Sequence, residues 1–349
     1  MKYLFFLTFL AVSLSTGRAQ GITSYLVGDP ADVIVRPTAG TCVMGGATED
    51  DNAMRWFLER AHGGDILVIR ATGDDAYNDY LYRQLGVTVN SVETIIVPSR
   101  AAASDPYLAQ QLTNAEAIWI AGGDQYDYVS YWKGTPVERL LNEHVSQKHG
   151  VIGGTSAGMA ILGSDYFSAA KGTVTSAEAL ADPFNSKVTL GVDDFLHLSF
   201  LGDTITDTHY DNPDRRGRHF TFIARLTHDL GRRFYGIACD EYTAICIDGE
   251  GRARAFGGYP TYDDNAYFLQ TNCVVPYNPE VCTAGTPLTW DRAGAAVKVY
   301  HVKGDASGSA MFDLKGWHDG KGGAWEEWSA KAGVMTYKTH AAPPACGKQ

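Results

Sequence analysis

Three polar side chains in this sequence follow apolar runs and could serve as nucleophile, base and acid. Ser156 lies in the pattern Gly154-x-Ser156-x-Gly158, directly after an apolar run that ends at Ile152. This spacing is typical of a nucleophile elbow, a tight strand-to-helix turn that exposes a serine hydroxyl beside the free N–H groups of a helix. Small residues also suit close packing of a helix on a sheet, so the motif alone leaves both interpretations open.

A serine nucleophile needs a base, and the base needs a group that orients it. Of the ten histidines, His209 stands among polar residues after the apolar run 195–205, where we predict a strand end. Asp240 and Glu241 follow the apolar run 234–239 in the same way. A carboxylate at such a position is more often a turn former, so this pattern gives candidates rather than a site.

The elements that must position these residues alternate along residues 41–250. Short apolar runs predict strands at 65–69, 92–97, 117–120 and 150–152, and helical spacing of apolar residues predicts helices at 51–62, 106–114 and 136–148. This rhythm predicts an α/β fold, a mostly parallel sheet with helices on both faces. Ligands bind such sheets beyond the carboxyl ends of the strands, where the candidate nucleophile, base and acids fall.

Past residue 250 the helical patterns stop and short alternating runs begin, for example at 296–301 and 333–337. We therefore divide the chain into a catalytic α/β domain at 20–250 and a β-rich C-terminal extension at 251–349. Two interpretations apply to the four tryptophans of this extension, a sugar-binding platform or packing, and packing is favoured. They are Trp290, Trp317, Trp325 and Trp328.

The N-terminus has the pattern of a secretory signal peptide. Lys2 precedes the short apolar stretch 3–14, and residues 17–19 form a small-x-small cleavage site, so we expect removal of residues 1–19. A buried N-terminal helix is the alternative. The stretch is too short for a membrane span, and nothing later reaches that length. The sequence thus predicts an exported protein, periplasmic or extracellular, that does not reside in a membrane.

Composition excludes other classes of protein. The 349 residues carry 29 Lys and Arg against 40 Asp and Glu, a net charge of −11. With 45% hydrophobic residues the chain can build a large core, and collagen, coiled coil and disorder are excluded. A nucleic-acid partner is not expected, because no basic stripe is present to neutralise phosphates.

Export makes disulfides possible for the six cysteines. Cys273 and Cys282 flank a Pro-containing loop and are the expected pair, while Cys239 and Cys246 could face each other across a hairpin. Cys42 lies in an apolar run, and we expect a buried thiol there. The lack of any Cys-x-x-Cys spacing gives no indication of a structural zinc site.

Five segments in order resemble the cyanophycinase and peptidase E family of serine peptidases, peptidase family S51. They are residues 45–50 (GGATED), 118–126 (IWIAGGDQY), 153–159 (GGTSAGM), 207–218 (DTHYDNPDRRGR) and 236–244 (GIACDEYTA). The resemblance implies a fold similar to the class I glutamine amidotransferase domain, which is flavodoxin-like. It also implies a triad of Ser156 as nucleophile, His209 as base and then acid, and Glu241 as the orienting carboxylate.

The resemblance further implies the residues around the triad. Backbone N–H groups of Gly123 and Ala157 would form the oxyanion hole. The substrate-contacting residues would be Gln125, Asp207, Thr208, Arg215, Arg216 and Arg218.

Two departures from the family pattern concern this loop. Thr208 stands where cyanophycinases typically have Gln, and Pro213 stands where the first of three arginines would be. Arg216 has a second interpretation as a solvated residue paired with a neighbouring Asp.

The resemblance therefore predicts an exported serine exopeptidase. It would cut cyanophycin, a poly-aspartate backbone with Arg branches, into β-Asp-Arg dipeptides through an acyl-enzyme at Ser156. No metal or organic cofactor is expected, and a homodimer is an untested expectation. The alternatives are a related aspartyl dipeptidase or isopeptidase, an α/β-hydrolase esterase, and a non-catalytic binding protein. The order serine, histidine, acid disfavours the esterase, whose acid precedes its histidine.

Overall fold

The computed structural model describes residues 21–348, so the predicted signal peptide lies outside the described residues. Within this range the chain forms two sheets, with helices packed against them. No helix of residues 21–348 is long and apolar enough to cross a membrane.

Strands, numbered in chain order, occur along the whole length of residues 21–348. They are β1 Thr23–Gly28, β2 Gly40–Met44, β3 Asp65–Arg70, β4 Ser91–Ile96, β5 Ala117–Ile120, β6 Val151–Thr155, β7 Asp165–Phe167, β8 Leu190–Val192, β9 Thr204–Asp207, β10 Tyr235–Cys239, β11 Ala244–Asp248, β12 Arg252–Phe256, β13 Asn265–Thr271, β14 Val297–Lys303, β15 Ala310–Asp313, β16 Gly320–Lys321, β17 Gly323–Lys331 and β18 Val334–Lys338.

The α-helices follow in the same order. They are α1 Asp51–Glu59, α2 Ala76–Asp79, α3 Pro106–Asn114, α4 Gln125–Trp132, α5 Pro136–Ser146, α6 Ala157–Ala160, α7 Ser176–Ala181 and α8 Arg216–Leu230. A π-helical turn at Tyr80–Gln84 follows α2, and short 3₁₀ turns lie at Ala102–Ser104 and Arg292–Gly294. The predicted helices and strands named above lie in place and differ from the structure only at their ends, which are the least defined part of any element.

The first sheet has the order β1-β4-β3-β5-β6-β2-β11-β12-β15-β16. Its centre, from β4 to β2, is parallel, and antiparallel strands extend it on both sides. Side chains of β3 alternate between two cores: Leu67 and Ile69 pack with α3, α4 and α5, while Ile66 and Val68 pack with α1. Helices thus cover both faces, and the predicted α/β class is confirmed.

The second sheet has the order β18-β17-β14-β13-β10-β9-β7-β8. Strands β9 and β10 lie parallel to each other within it. Helix α8 packs Phe220, Phe222 and Ile223 into the core of this sheet. The apolar run 195–205 contributes only its last two residues to a strand, because β9 begins at Thr204. A second sheet was not predicted from the sequence.

The C-terminal region is β-rich, as predicted, and its strands belong to both sheets. Strands β12, β15 and β16 extend the first sheet, whereas β13, β14, β17 and β18 extend the second. The domain boundary at residue 250 stays a prediction, and it falls between two paired antiparallel strands, β11 and β12. All four tryptophans of this region are buried, so the packing interpretation fits them and a sugar platform does not.

The disulfide prediction was wrong. Cys273 is bonded to Cys346, and Cys282 is a buried free thiol, as are Cys239 and Cys246. Cys246 faces Cys42 across the β2–β11 pair rather than Cys239 across a hairpin. Loop proximity in sequence misled the prediction, because the chain end returns to the loop after β13, whereas Cys282 packs into the core of the second sheet. Cys42 is the buried thiol that was expected.

Candidate active site

Ser156 stands between β6 and α6 with a strained backbone. Its φ of 52° and ψ of −117° lie outside the regions that non-glycine residues normally adopt. A side chain at Gly158 would collide with the carbonyl of Ile120 on the neighbouring strand, so the turn can approach that strand only with glycine there. The elbow predicted from the spacing is therefore present, and it projects the Ser156 hydroxyl from the end of the first sheet.

The second sheet supplies the two partners of this serine. His209 follows the end of β9, and its Nε2 lies 2.8 Å from Ser156 Oγ. Glu241 follows the end of β10, and its Oε1 lies 2.6 Å from His209 Nδ1. The structure thus brings together the three residues proposed as a triad, at the place where the carboxyl ends of β6, β9 and β10 meet.

A turn after β2 ties these three segments to one another. The Ser156 N–H donates to the Met44 carbonyl (N···O 3.0 Å), and the His209 N–H donates to the Gly45 carbonyl (2.8 Å). The Tyr242 N–H, one residue after Glu241, donates to the Gly46 carbonyl (3.0 Å). Gly46 has a φ of 123°, and a Cβ there would overlap the imidazole ring of His209. The resemblance included this turn without giving it a role, and backbone contacts are its contribution.

The neighbouring carboxyls at 240 and 241 have opposite environments. The hydrogen bond with His209 lowers the pKa of Glu241, and its Oε2 also accepts from the Asn212 side chain at 3.2 Å. Burial raises the pKa of Asp240 to about 7, although the Asn265 amide donates to it at 2.7 Å. The ionised Glu241 is therefore the carboxylate suited to stabilise an imidazolium, whereas Asp240 is buried and bonded to Asn265.

Two cavities meet at the serine. The smaller, of about 320 Å³, is lined by the expected oxyanion residues Gly123 and Ala157, by Gln125 and Thr208, and by Arg215 and Arg218. The larger, of about 500 Å³, has a different wall, formed mainly by residues of the segments 47–49 and 70–80. Ser156 and His209 are the residues common to both linings. A bond attacked by Ser156 can therefore have substrate groups on both sides.

Arg215, Arg216 and Arg218 belong to the segment 207–218, called here the arginine loop, and they have different surroundings. Arg218 is buried and forms a two-pronged ion pair with the buried Asp207 (Nε–Oδ2 2.9 Å, Nη2–Oδ1 2.5 Å). Burial by itself would raise the pKa of Asp207, but the Arg218 charge outweighs it and lowers that pKa. Asp207 does not line the cavity, so its contact is with Arg218.

Arg216 has its guanidinium outside the cavities at the serine. Its guanidinium pairs with Asp214 at 2.6 Å and lies over the ring of Tyr337, and it does not line either of the two cavities at the serine. Arg215, by contrast, lines the smaller cavity and makes no ion pair with a carboxylate of residues 21–348. Burial and the nearby Arg218 charge lower the pKa of Arg215. Of the predicted arginines, Arg215 and Arg218 reach the cavity and Arg216 does not.

The Peptidase family S51 model matches residues 75–254, slightly more than half of the chain. The chain belongs to peptidase family S51. The relatives it resembles include the cyanophycinase of Synechococcus elongatus, with 28% identity over 209 residues, covering 58% of this chain and 59% of the relative. The cyanophycinase of Trichormus variabilis is 24% identical over 210 residues, covering 60% of this chain and 62% of the relative. The chain thus spans about three fifths of the length of these curated relatives.

Among solved structures, a peptidase from an acI-B1 Actinobacterium superposes with a TM-score of 0.42 at 16% identity. The superposition covers 64% of this chain and 89% of that one.

The lining of the larger cavity was not predicted from the sequence. Besides Thr155, Ser156 and His209, its polar residues are Thr48, Glu49, Arg70, Asp74, Tyr77 and Tyr80. One signal was present, because Arg70 ends β3 at the same sheet edge as the Gly122 turn after β5. Among the described residues, no group of three or more His, Cys, Asp or Glu side chains could hold a metal ion.

Proposed function

We propose that this S51 peptidase is a serine peptidase that hydrolyses cyanophycin-type substrates to β-Asp-Arg dipeptides. The observation that carries the proposal is the continuous hydrogen-bonded line from Ser156 Oγ through both ring nitrogens of His209 to Glu241. Such a line lets the imidazole take the hydroxyl proton during attack while the carboxylate fixes its orientation.

The reaction would proceed in two halves. Ser156 Oγ attacks the scissile carbonyl carbon, His209 Nε2 takes the hydroxyl proton, and the C–N bond breaks as His209 returns the proton to the leaving amine. Water then attacks the acyl-enzyme with His209 again as base, and Ser156 regains its proton. Backbone N–H groups of Gly123 and Ala157 would stabilise the oxyanion, and loss of one such donor typically costs about 10²–10³ in rate.

The smaller cavity supports an anionic substrate. Arg215 lines it without a carboxylate partner among residues 21–348. Arg218 adds positive charge to the wall, while its guanidinium is bonded to Asp207, to the Thr173 hydroxyl and to the Val174 carbonyl. Guanidinium groups bind carboxylates through two parallel hydrogen bonds, which suits substrates rich in aspartate. The cyanophycinase names of the relatives point to the same class of polymer.

A related aspartyl dipeptidase is the second candidate, because one observation favours it. Pro213 replaces the first of the three family arginines, and Arg216 does not substitute for it since it pairs with Asp214. Two arginines at the cavity suit a small acidic peptide as well as a polymer.

Export belongs to the proposal as well. The pattern of residues 1–19 predicts cleavage before Gln20 and a periplasmic or extracellular enzyme. N-terminal sequencing of the chain recovered from the periplasmic fraction or the culture medium tests this step. An intact N-terminus on a chain retained in the cytoplasm would contradict it.

The function is tested by incubating the purified enzyme with cyanophycin, with β-aspartyl dipeptides and with a p-nitrophenyl ester. The proposal expects β-Asp-Arg dipeptides from cyanophycin and no products from the Ser156→Ala variant. Cleavage of the dipeptides alone would make the dipeptidase the function, and cleavage of the ester alone would contradict both candidates.

A further inference from the structure

The larger cavity is the feature that the family resemblance leaves without a role. It has a volume of about 500 Å³, within the range of small-ligand pockets. Glu49, Arg70, Tyr77 and Tyr80 contribute to its wall. It touches the smaller cavity at the two reacting side chains, Ser156 and His209.

The position of the expected oxyanion donors decides which half of a substrate each cavity takes. Gly123 and Ala157 line the smaller cavity, so the attacked carbonyl and the acyl group attached to it belong there. The leaving amine must stay beside His209, which protonates it, and lies on the opposite side of the carbonyl carbon. The larger cavity is where that half can extend.

Arg70 is the charged group of this cavity best suited to bind a ligand. Its Nε donates to the Thr72 carbonyl at 2.6 Å and its Nη1 to the Asp74 carbonyl at 3.3 Å. It makes no ion pair with a carboxylate of residues 21–348, whereas Asp74 accepts the Ala76 N–H at 3.2 Å. Backbone carbonyls orient the guanidinium without cancelling its charge, so a carboxylate can still bind to it.

Glu49 lines the same cavity but forms no ion pair with Arg70. The Tyr77 hydroxyl donates to the Glu49 carboxylate, and burial raises the Glu49 pKa even though the Arg70 charge acts to lower it. Tyr80 donates to Asp51 at 2.9 Å, so both tyrosine rings are held in the cavity wall by their hydroxyls. The wall is therefore ordered, partly aromatic, and carries one guanidinium with capacity for an anion.

We propose that the larger cavity is the leaving-group subsite and that Arg70 binds a carboxylate of the leaving half of the substrate. This inference rests on the proposed function, because it assumes acyl transfer at Ser156. It adds a second specificity determinant: the enzyme selects bonds whose amine side carries a carboxylate, and it selects them from the side opposite Arg215 and Arg218.

The test compares two forms of a (β-Asp-Arg)₂ peptide, one natural and one with every carboxylate of the leaving unit converted to an amide. The wild-type enzyme should prefer the natural form by about 10- to 150-fold in kcat/KM, the value of one hydrogen bond to a charged group. Arg70→Gln should remove most of this preference by slowing the natural form and leaving the amide form unchanged. General damage to the fold would instead lower both rates.

Arg83→Gln is the matched control, because Arg83 lies exposed on the surface and pairs with Asp79. It should keep the full preference. Equal cleavage of the two peptides by the wild type, or a preference unchanged in Arg70→Gln, overturns the inference.

A binding experiment separates failure of the inference from failure of the proposed function. If neither peptide is cleaved, the proposed function fails. Calorimetry on the Ser156→Ala protein then compares β-Asp-Arg with its amide. Arg70→Gln in that background should abolish the difference in Kd, while Arg83→Gln should leave it in place. The reverse result, or no difference in Kd, overturns the inference.

Discussion

The segments around the three triad residues are held by backbone hydrogen bonds, whereas Arg216 and Arg218 of the arginine loop are held by side-chain ion pairs. Ser156, His209 and the residue after Glu241 each donate a backbone N–H to the turn after β2, so their positions follow from main-chain pairing. In the arginine loop the guanidiniums of Arg216 and Arg218, two residues apart, go to the surface and to the interior. Backbone-held residues can be assigned from a motif, whereas side-chain destinations depend on partners distant in sequence.

The first prediction disturbs the backbone contacts at residues 44–46 and has the largest expected effect. Gly46→Ala places a methyl group against the His209 ring, so the base moves off the serine. We expect kcat/KM to fall by about 10²–10⁴, the usual contribution of a general base. Gly86→Ala is the control, since it also has a positive φ (72°) but its Cβ meets nothing within 4 Å. Equal losses in both variants would mean that backbone strain, not the ring, is responsible.

The second prediction contrasts two arginines of the loop by stability. Arg218→Met leaves Asp207 charged and buried without its partner, which should cost about 3–5 kcal/mol of unfolding free energy. Arg216→Met removes a partly exposed ion pair and should cost about 0–1 kcal/mol. Urea titration measures both values, and similar losses would contradict the difference in burial.

The sequence predicted the residues held by backbone contacts better than the side-chain contacts between distant segments. Ser156, His209 and the pair Asp240 and Glu241 were candidates because they follow apolar runs, and ligand sites lie beyond the carboxyl ends of strands in such sheets. The choice of Glu241 over Asp240 came from the family resemblance. Two sheets could not be predicted, because the order of runs along the chain does not say which strands pair. The Asp214 partner of Arg216 was weighed in advance, but only coordinates could decide between the two interpretations. Cys346 was beyond prediction because nothing local links the chain end to Cys273.

The third prediction concerns the paired carboxyls at the end of β10. The folded-state pKa of Asp240, about 7, exceeds the unfolded value of about 3.9, so its contribution to stability is complete below that unfolded value. The contribution disappears as the pH rises through 7. Asp240→Asn should therefore gain stability relative to wild type between pH 4 and pH 8, on the order of 1–4 kcal/mol.

Thermal or urea unfolding at the two pH values checks this expectation. Asp319→Asn, at a largely exposed carboxyl, serves as the control and should show no such gain. A pH dependence identical in wild type and Asp240→Asn would show that Asp240 does not retain its proton in the folded enzyme.

The fourth prediction contrasts Arg215 and Arg216 in binding. Arg215 lines the smaller cavity without a carboxylate partner among residues 21–348, so Arg215→Ala should raise KM for cyanophycin by about 10- to 100-fold. Arg215→Lys should recover only part, because an ammonium cannot form the two-pronged contact. Arg216→Ala should leave KM unchanged. Steady-state kinetics on the three variants decides, and unchanged KM in Arg215→Ala would move the dipeptidase to first place.

The central claim is that His209 and Glu241 activate Ser156 as a nucleophile. Peptide mass mapping after treatment with a fluorophosphonate measures this directly and requires no knowledge of the natural substrate. The account predicts a single adduct on Ser156 in the wild-type enzyme and slowing of its formation by about 10²–10⁴ in His209→Gln. An adduct on another residue, or labelling of His209→Gln at the wild-type rate, would contradict it.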